Sequence, residues 1–222
     1  LELRIAQNAA KPETEELEEA GAEVRNVNFT ALVGTGILHT KLWVVDGKHF
    51  YVGSANFDWR SLTEVKEVGV LVTDCPCLAA DMAKIWAVYW QLGGREELPV
   101  TWPKELATSF NADTPLSLPS LPQVLPALTD PMSQLSLLAL NLTSPYLLPA
   151  VQVYLSSSPA ALCPPGREPD LSAILRTINS AEEFVEIAVM DYIPATIYTP
   201  HMRFWPDIDS ALRRAAIDRG TY

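Results

Sequence analysis

The stretch of sequence that decides the fold is LHTKLWVVDGKHFYVGSAN, which runs from residue 38 to residue 56. Residues 38–45 alternate in character and are rich in β-branched and aromatic side chains, which predicts a strand. Asp46-Gly47 is a strong signal for a tight turn, and residues 49–52 are predicted to form the returning strand. The stretch therefore predicts a β-hairpin.

Several polar side chains of this hairpin have the chemistry of a phosphodiester site. On a strand, residues two apart share a face, so we expect His39 and Lys41 to project the same way. Gly53-Ser54 ends the returning strand and leaves a hydroxyl and backbone N–H groups free, and Asn56 adds an amide. A neutral imidazole can attack phosphorus, while an ammonium and an amide can hold the nonbridging oxygens. Since all these groups belong to the protein, we expect neither a metal ion nor another cofactor.

A carboxylate on the next predicted strand can complete the site. Glu67 lies within residues 65–73, and its carboxylate is expected to hydrogen-bond the far ring nitrogen of His39. That bond would fix the tautomer of the imidazole and raise its basicity. A lone His-x-Lys pair is more often the exposed face of an ordinary hairpin. Several fixed residue types at fixed spacing favour the functional interpretation instead.

Strands and helices alternate on either side of the hairpin. Before it, residues 1–6 and 22–29 are predicted strands, and residues 14–20 are a predicted acidic helix. After it, residues 78–92 carry apolar side chains at helical spacing. We expect this stripe to be core rather than a platform for stacking bases. The alternation predicts an α/β fold in which helices flank a mixed β-sheet.

Residues 111–150 differ from the rest of the chain. Pro, Leu and Ser dominate there and charges almost vanish, which predicts a poorly ordered insertion between residues 1–110 and residues 151–222. A translated intron would have the same composition and stays open as an alternative.

Regular elements are predicted again after the insertion. Asp170 is expected to cap the N-terminus of a helix that ends at Ser180. A strand over residues 183–192 and a helix over residues 206–219 follow. The residues expected on the inner face of the first helix are Leu171, Ile174, Leu175 and Ile178.

The hairpin motif resembles the HxKxxxxDxxxxxxGSxN signature of the phospholipase D superfamily. Members of its animal, type II membrane subgroup are described mainly as 5′ exonucleases on single-stranded DNA and RNA, and lipid transphosphatidylation has also been proposed for them. The resemblance implies the end of a first phospholipase D-like half in residues 1–110 and the start of a second, truncated half in residues 151–222. The stretches that resemble this subgroup are residues 38–46, 53–63, 102–103, 162–167 and 203–206.

The resemblance also implies a role for each motif residue in a phosphodiesterase that works through a phosphohistidine intermediate. His39 matches the nucleophile, and Lys41 and Asn56 match the pair that holds the phosphate. Ser54 matches a supporting residue near the phosphate. The carboxylate that orients the histidine corresponds to Glu67. The motif aspartate, which mostly braces the hairpin, corresponds to Asp46.

The active site of that superfamily is built from two such motifs related by pseudo-twofold symmetry, and this sequence contains one. We therefore expect a fragment that lacks the second half of the active site and an upstream membrane anchor. Three alternatives stay open. The first is a catalytically inactive fragment or relative, and the second is a homodimer that pairs two single motifs. The third is a phospholipid substrate in place of a single-stranded nucleic acid.

Charge and modification signals bear on partners and location. The net charge of −11 argues against a broadly basic nucleic-acid surface, although a local phosphate pocket is compatible with it. Two sequons, at Asn28 and Asn141, are compatible with a luminal protein. The resemblance implies the lumen of the endoplasmic reticulum, endosome or lysosome.

Three cysteines, Cys75, Cys77 and Cys163, leave an odd count. The Cys-x-Cys spacing is too tight for the usual redox or zinc element. The resemblance implies that Cys75 and Cys77 pair with cysteines upstream of this chain, and Cys163 with one downstream of it. Three buried free thiols in a cytosolic domain are the alternative.

Overall fold

The structure is a computed structural model and describes residues 2–118, 151–197, 199 and 201–218. The chain contains both helices and strands, as expected for an α/β fold, and they alternate in its first part up to the hairpin. The strands are β1 Arg4–Gln7, β2 Glu23–Asn26, β3 Lys41–Val45, β4 His49–Gly53, β5 Gly69–Val72, β6 Leu116–Leu118, β7 Val151–Val153, β8 Ser156–Ser157 and β9 Glu168–Pro169. The α-helices are α1 Pro12–Glu19, α2 Phe29–Val33, α3 Trp59–Thr63, α4 Pro76–Leu92, α5 Asp170–Ser180 and α6 Asp207–Asp218.

The predicted hairpin is confirmed. β3 and β4 pair antiparallel, with Lys41 opposite Gly53, and β5 extends the sheet in the order β3-β4-β5. Asp46 and Gly47 have φ angles of 52° and 63°. Positive φ at both central residues is the requirement of a type I′ turn, whose twist matches that of the strands it joins.

Two strands of this sheet are shorter than predicted. β3 begins at Lys41 rather than at residue 38, and β5 begins at Gly69 rather than at residue 65. Both ladders stop at Gly53, where β4 ends, because a strand needs a partner to continue. His39 and Glu67 therefore lie just outside the sheet, at the same end of it.

The second predicted strand also ends early. β2 stops at Asn26, and the next residues form α2, which the sequence interpretation missed. Asn28 caps this helix, since its Oδ1 atom accepts a hydrogen bond from the Ala31 N–H. Asn is among the preferred N-cap residues, so the signal was present in the sequence. β1 and β2 pair in parallel.

Helix α4 forms the centre of the main core. Its buried face includes Leu78, Met82, Ile85, Tyr89 and Leu92, which recur at helical spacing as predicted. Trp86 and Trp90, by contrast, are only half-buried and stack on each other with ring centroids 5.2 Å apart.

The same core extends past the predicted boundary at residue 150. Leu162 is buried in it, and Val153 packs against it. A buried ion pair between Arg167 and Asp81 of α4 also joins the two parts of the chain. Residues 151–168 therefore pack with the first part of the chain.

The predicted insertion has an ordered beginning. The Asn111 side chain accepts backbone hydrogen bonds from Asp113 and Thr114, and β6 then pairs antiparallel with β7. Residues 119–150, including the sequon at Asn141, lie outside the described residues.

A second, small core holds α5 and α6 together through Ile178, Ala211 and Ala215. The helix over residues 170–180 is confirmed, but Pro169 is its N-cap, and the Asp170 carboxylate accepts a hydrogen bond from the Ser156 hydroxyl instead. Of the four residues expected inside, Ile174 is exposed.

The strand predicted over residues 183–192 does not form. These residues are irregular, and no described strand lies beside them to complete a ladder. Alternating apolar residues favour a strand only where a neighbouring strand takes up the backbone hydrogen bonds. Within the described part of the chain, no helix is long and apolar enough to cross a membrane.

Candidate active site

The first two motif residues lie on the outer side of the β3-β4-β5 sheet, Lys41 at the start of β3 and His39 just before it. Leu42 and Val44 of β3 pack against the core, so the alternate residues Lys41 and Trp43 face away from it. Lys41 Nζ lies 3.0 Å from His39 Nδ1 and 3.1 Å from His39 Nε2. The structure thus brings these two side chains together on one face, although His39 precedes the strand.

The ammonium of Lys41 lies above the imidazole ring rather than in its plane. An atom in the ring plane at these distances from both nitrogens would overlap the carbon between them. His39 is exposed and Lys41 is half-buried, so both are open to one ligand. The pair can present a nucleophile and a positive charge to the same anionic group.

Glu67 contacts Ser54 instead of the imidazole. Ser54 Oγ donates a hydrogen bond of 2.5 Å to Glu67 Oε2 and accepts one from the Val68 N–H. Among the described residues, the ring of His39 has hydrogen-bond contacts with Lys41 alone. The expected bond between His39 and Glu67 is therefore not formed in this structure.

Glu67 is nevertheless electrostatically linked to the motif lysine. Burial lowers the pKa of Lys41 below its ordinary value, and the negative charge of Glu67 opposes that effect. The ammonium is thus partly desolvated beside a carboxylate, and an approaching phosphate would strengthen its protonated state.

Asp46 lies at the opposite end of the hairpin from Lys41. It follows Val45 at the turn, where Val45 pairs with His49. At about 3.4 Å per residue, the five steps of the strand carry Asp46 about 17 Å from the motif lysine. The structure therefore does not bring Asp46 to the site, and its place in the turn suits the bracing role that the resemblance implies.

Asn56 lies on the loop between β4 and α3. Its side chain is exposed and makes no hydrogen bond within the described part of the chain. The following helix is fixed by Asp58, whose Oδ1 atom accepts a hydrogen bond from the Ser61 N–H. The contact of Asn56 with a phosphate stays a prediction.

An aromatic cluster next to the motif was not foreseen. The ring of Trp43 lies 5.1 Å from that of Tyr51 and 4.8 Å from that of Phe57. The ring of Tyr51 lies over Gly53 and Gly69 at the end of the sheet. A Cβ atom at either glycine would collide with this ring. The glycine of the Gly-Ser-x-Asn run is thus required by the packing of a neighbouring tyrosine.

Two side chains that form hydrogen bonds with the residues around His39 were also not predicted. The Tyr89 hydroxyl lies 2.9 Å from Thr40 Oγ1, and Asn8 Oδ1 accepts a hydrogen bond from the Leu38 N–H. Burial raises the pKa of Tyr89, while the hydrogen bond with Thr40 opposes that shift. Periodicity marked Tyr89 as a core position, but no sequence signal pointed to the motif as the partner of its hydroxyl.

Potential metal ligands do not cluster in the described part of the chain. No three His, Cys, Asp or Glu side chains lie close enough there to hold an ion.

A His-x-Lys pair on a hairpin of an α/β fold, with Gly-Ser-x-Asn at the end of the returning strand, defines a phospholipase D-like protein. A family model described as PLD3/4, PLD-like domain matches residues 2–121 and 139–222. The chain belongs to this family.

Three relatives illustrate the similarity. The chain is 43% identical over 224 residues to the protein named 5'-3' exonuclease PLD3 of Rattus norvegicus, covering 99% of this chain and 40% of the relative. It is 44% identical to 5'-3' exonuclease PLD3 of Homo sapiens over 205 residues, or 92% and 36% of the two chains. It is 40% identical to 5'-3' exonuclease PLD4 of Mus musculus over 203 residues, or 91% and 35%. The chain therefore spans about two fifths of the length of these relatives.

Proposed function

We propose that the whole protein is a phosphodiesterase that degrades single-stranded DNA or RNA from the 5′ end. The observation that carries this proposal is the contact between His39 and Lys41 on an exposed face, beside the Ser54–Glu67 pair. The names of the relatives, 5'-3' exonuclease PLD3 and PLD4, support nucleic acid as the substrate.

The proposed reaction has two steps. In the first, a ring nitrogen of His39 forms a bond to phosphorus, the bond to the leaving oxygen breaks, and an imidazolium from a second motif protonates that oxygen. In the second, water attacks the phosphohistidine and gives its proton to the second imidazole. The phosphorus–nitrogen bond breaks, and a phosphate monoester leaves.

The other motif residues act on charge and position. Lys41 and Asn56 hold the nonbridging oxygens, whose negative charge grows in the transition state. Ser54 lies beside them, and Glu67 acts through Ser54 and through its effect on Lys41. Such a pocket binds phosphate locally, which suits a chain with a net charge of −11.

The second imidazolium is proposed to come from a second His-x-Lys motif of the whole protein. This sequence holds one such motif and spans 40% of the length of the rat relative. The neighbouring histidine, His49, is not a substitute because it pairs with Val45 at the far end of the hairpin. A homodimer that pairs two single motifs is the competing arrangement.

The test is degradation of a 5′-hydroxyl, 3′-labelled oligonucleotide by the full-length protein in EDTA. We expect His39→Ala to abolish cleavage and the matched control His49→Ala to leave it within about twofold. A parallel assay with phosphatidylcholine vesicles measures release of choline. The nucleic-acid proposal is wrong if wild type leaves the oligonucleotide intact and instead hydrolyses the lipid in a His39-dependent way. The metal-independent mechanism is wrong if EDTA stops the reaction.

We also propose a luminal location, in the endoplasmic reticulum, endosome or lysosome. The sequon at Asn28 supports it, because this side chain is exposed and its N-cap hydrogen bond uses Oδ1, leaving the amide nitrogen for a glycan. After expression in animal cells, digestion with peptide-N-glycosidase should raise the electrophoretic mobility of wild type and of Thr30→Ser. Thr30→Ala should show one glycan fewer. Equal mobility of all three before and after digestion would contradict glycosylation at Asn28.

A further inference from the structure

Residues 38–40 are held by side chains and not by the sheet. They precede β3, and no backbone hydrogen bond involving them is formed within the described residues other than the one from the Leu38 N–H to Asn8. The Tyr89 hydroxyl provides the second attachment, through Thr40 Oγ1. His39 thus lies between two anchored neighbours and has no ladder bond of its own.

The two attachments reach the segment from the core side. Leu38 and Leu42 pack against the core, and the Oγ1 atom of Thr40, an exposed residue between them, reaches the buried Tyr89 hydroxyl. Tyr89 is 5% exposed and belongs to the buried face of α4. When Thr40 is drawn towards Tyr89, the residues before and after it point the opposite way, towards the outer face.

We propose that Tyr89 is a positioning residue for the His39–Lys41 pair, acting through its hydrogen bond to Thr40. This inference rests on the proposed function, since it assigns a role within the same active site. The hydroxyl of Tyr89 touches neither the imidazole nor the ammonium. It fixes the residue between them, so that both side chains leave the backbone on one face at the separation the reaction needs.

A helix side chain suits this role because the sheet cannot supply it. β4 ends at Gly53, opposite Lys41, so no strand of the described residues lies beside His39 to hold its backbone. Helix α4 is the most deeply buried element near the site, and a contact from it is more rigid than one from a loop. A nucleophile displaced by about 1 Å loses a large part of its rate, up to about a hundredfold.

The experiment uses four single variants of the full-length protein and the double variant that combines Tyr89→Phe with Thr40→Val. Tyr89→Phe removes the hydroxyl, Thr40→Val removes its partner, and Thr40→Ser retains it. Tyr192→Phe is the matched control, because it removes a tyrosine hydroxyl that bonds to Asp209, next to the second core. Two readouts are compared: kcat and KM on an oligonucleotide, and the rate at which diethyl pyrocarbonate modifies His39, followed by peptide mass spectrometry.

We expect Tyr89→Phe and Thr40→Val each to lower kcat about tenfold with KM changed less than about twofold. Both should change the rate of His39 modification at least about twofold. The double variant should be no worse than either single variant, since the two groups form one bond. Thr40→Ser and Tyr192→Phe should resemble wild type in both readouts.

The positioning role is overturned if Tyr89→Phe leaves both kcat and the modification of His39 unchanged. It is also overturned if the effects of Tyr89→Phe and Thr40→Val multiply in the double variant. The chemical readout does not depend on nuclease activity. If wild type fails to cleave nucleic acid while His39 reactivity still responds to Tyr89→Phe, the proposed function fails and the positioning role stands.

Discussion

Arg167 and Asp81 form a bidentate ion pair inside the main core, with Nη1–Oδ2 and Nη2–Oδ1 distances of 2.7 Å and 2.9 Å. The side chains are 1% and 2% exposed, and Thr108 donates a further hydrogen bond to the Asp81 carboxylate. This pair attaches the segment before α5 to helix α4.

Asp81→Asn should therefore destabilise the protein strongly. It leaves the Arg167 guanidinium buried without a counter-charge, which typically costs about 3–5 kcal/mol. Glu23→Gln is the matched control, because Glu23 is 3.6 Å from Arg4 in an exposed pair and its loss should cost less than about 1 kcal/mol. Urea unfolding of the full-length protein measures both changes. Similar losses of unfolding free energy in the two variants would contradict the expectation that the buried ion pair stabilises the protein more than the exposed one.

Gly53→Ala should destabilise the end of the sheet. The new methyl group would collide with the Tyr51 ring and would lie 2.9 Å from the Gly69 Cα atom. Overpacking of this kind costs about 1–3 kcal/mol. In a Tyr51→Ala background the same substitution should cost less, because the nearest obstacle is gone. Equal costs in the two backgrounds, measured by urea unfolding, would show that Tyr51 does not set the requirement for glycine.

Glu67→Gln should lower the pKa of Lys41 further. The carboxylate of Glu67 opposes the lowering caused by burial, so its removal leaves burial less opposed and favours the neutral amine. The Lys41 pKa can be followed by competitive acetylation across a pH series with peptide mass spectrometry. Glu64→Gln, on an exposed residue at the end of α3, is the control and should leave it unchanged. A rise in the pKa after Glu67→Gln would contradict the electrostatic link.

Replacing residues 119–150 with Asn-Gly should preserve the fold and the site. Leu118 pairs with Val151, so a two-residue turn can close β6 and β7 directly. Shortening the connection should change the free energy of unfolding by no more than about 2.5 kcal/mol. A Gly/Ser segment of the original length is the control for composition. Loss of His39-dependent cleavage in the short variant alone would show that the segment contributes to the site.

The sequence predicted those parts of the fold whose signals are local. The Asp46-Gly47 turn fixed the hairpin, and apolar spacing identified α4, because turn geometry and helix periodicity depend on neighbouring residues. The ends of β3 and β5 were missed because they depend on where another strand stops. The strand expected over residues 183–192 was wrong for the same reason, since its pattern needs a partner.

In the candidate site, too, local features were predicted and contacts between separate elements were not. The proximity of His39 and Lys41 follows from alternation along one extended segment and was predicted. The attachment of Glu67 to Ser54, and of Tyr89 to Thr40, depends on how separate elements meet, which spacing along the chain does not contain. The position of Asp46 could have been read from the hairpin, because a turn residue is always remote from the open end of its strands.

The pairing of Lys41 with Gly53 explains the number of residues between the parts of the motif. Four residues separate Lys41 from Asp46 and six separate Asp46 from Gly53, and together they measure one hairpin from its open end to its tip and back. A single residue added to one arm would turn Ser54 to the wrong side, whereas equal additions to both arms would return it to Lys41. The number of residues between the two parts of the signature is therefore set by the length of the hairpin, and we expect insertions to be tolerated only where both arms lengthen equally.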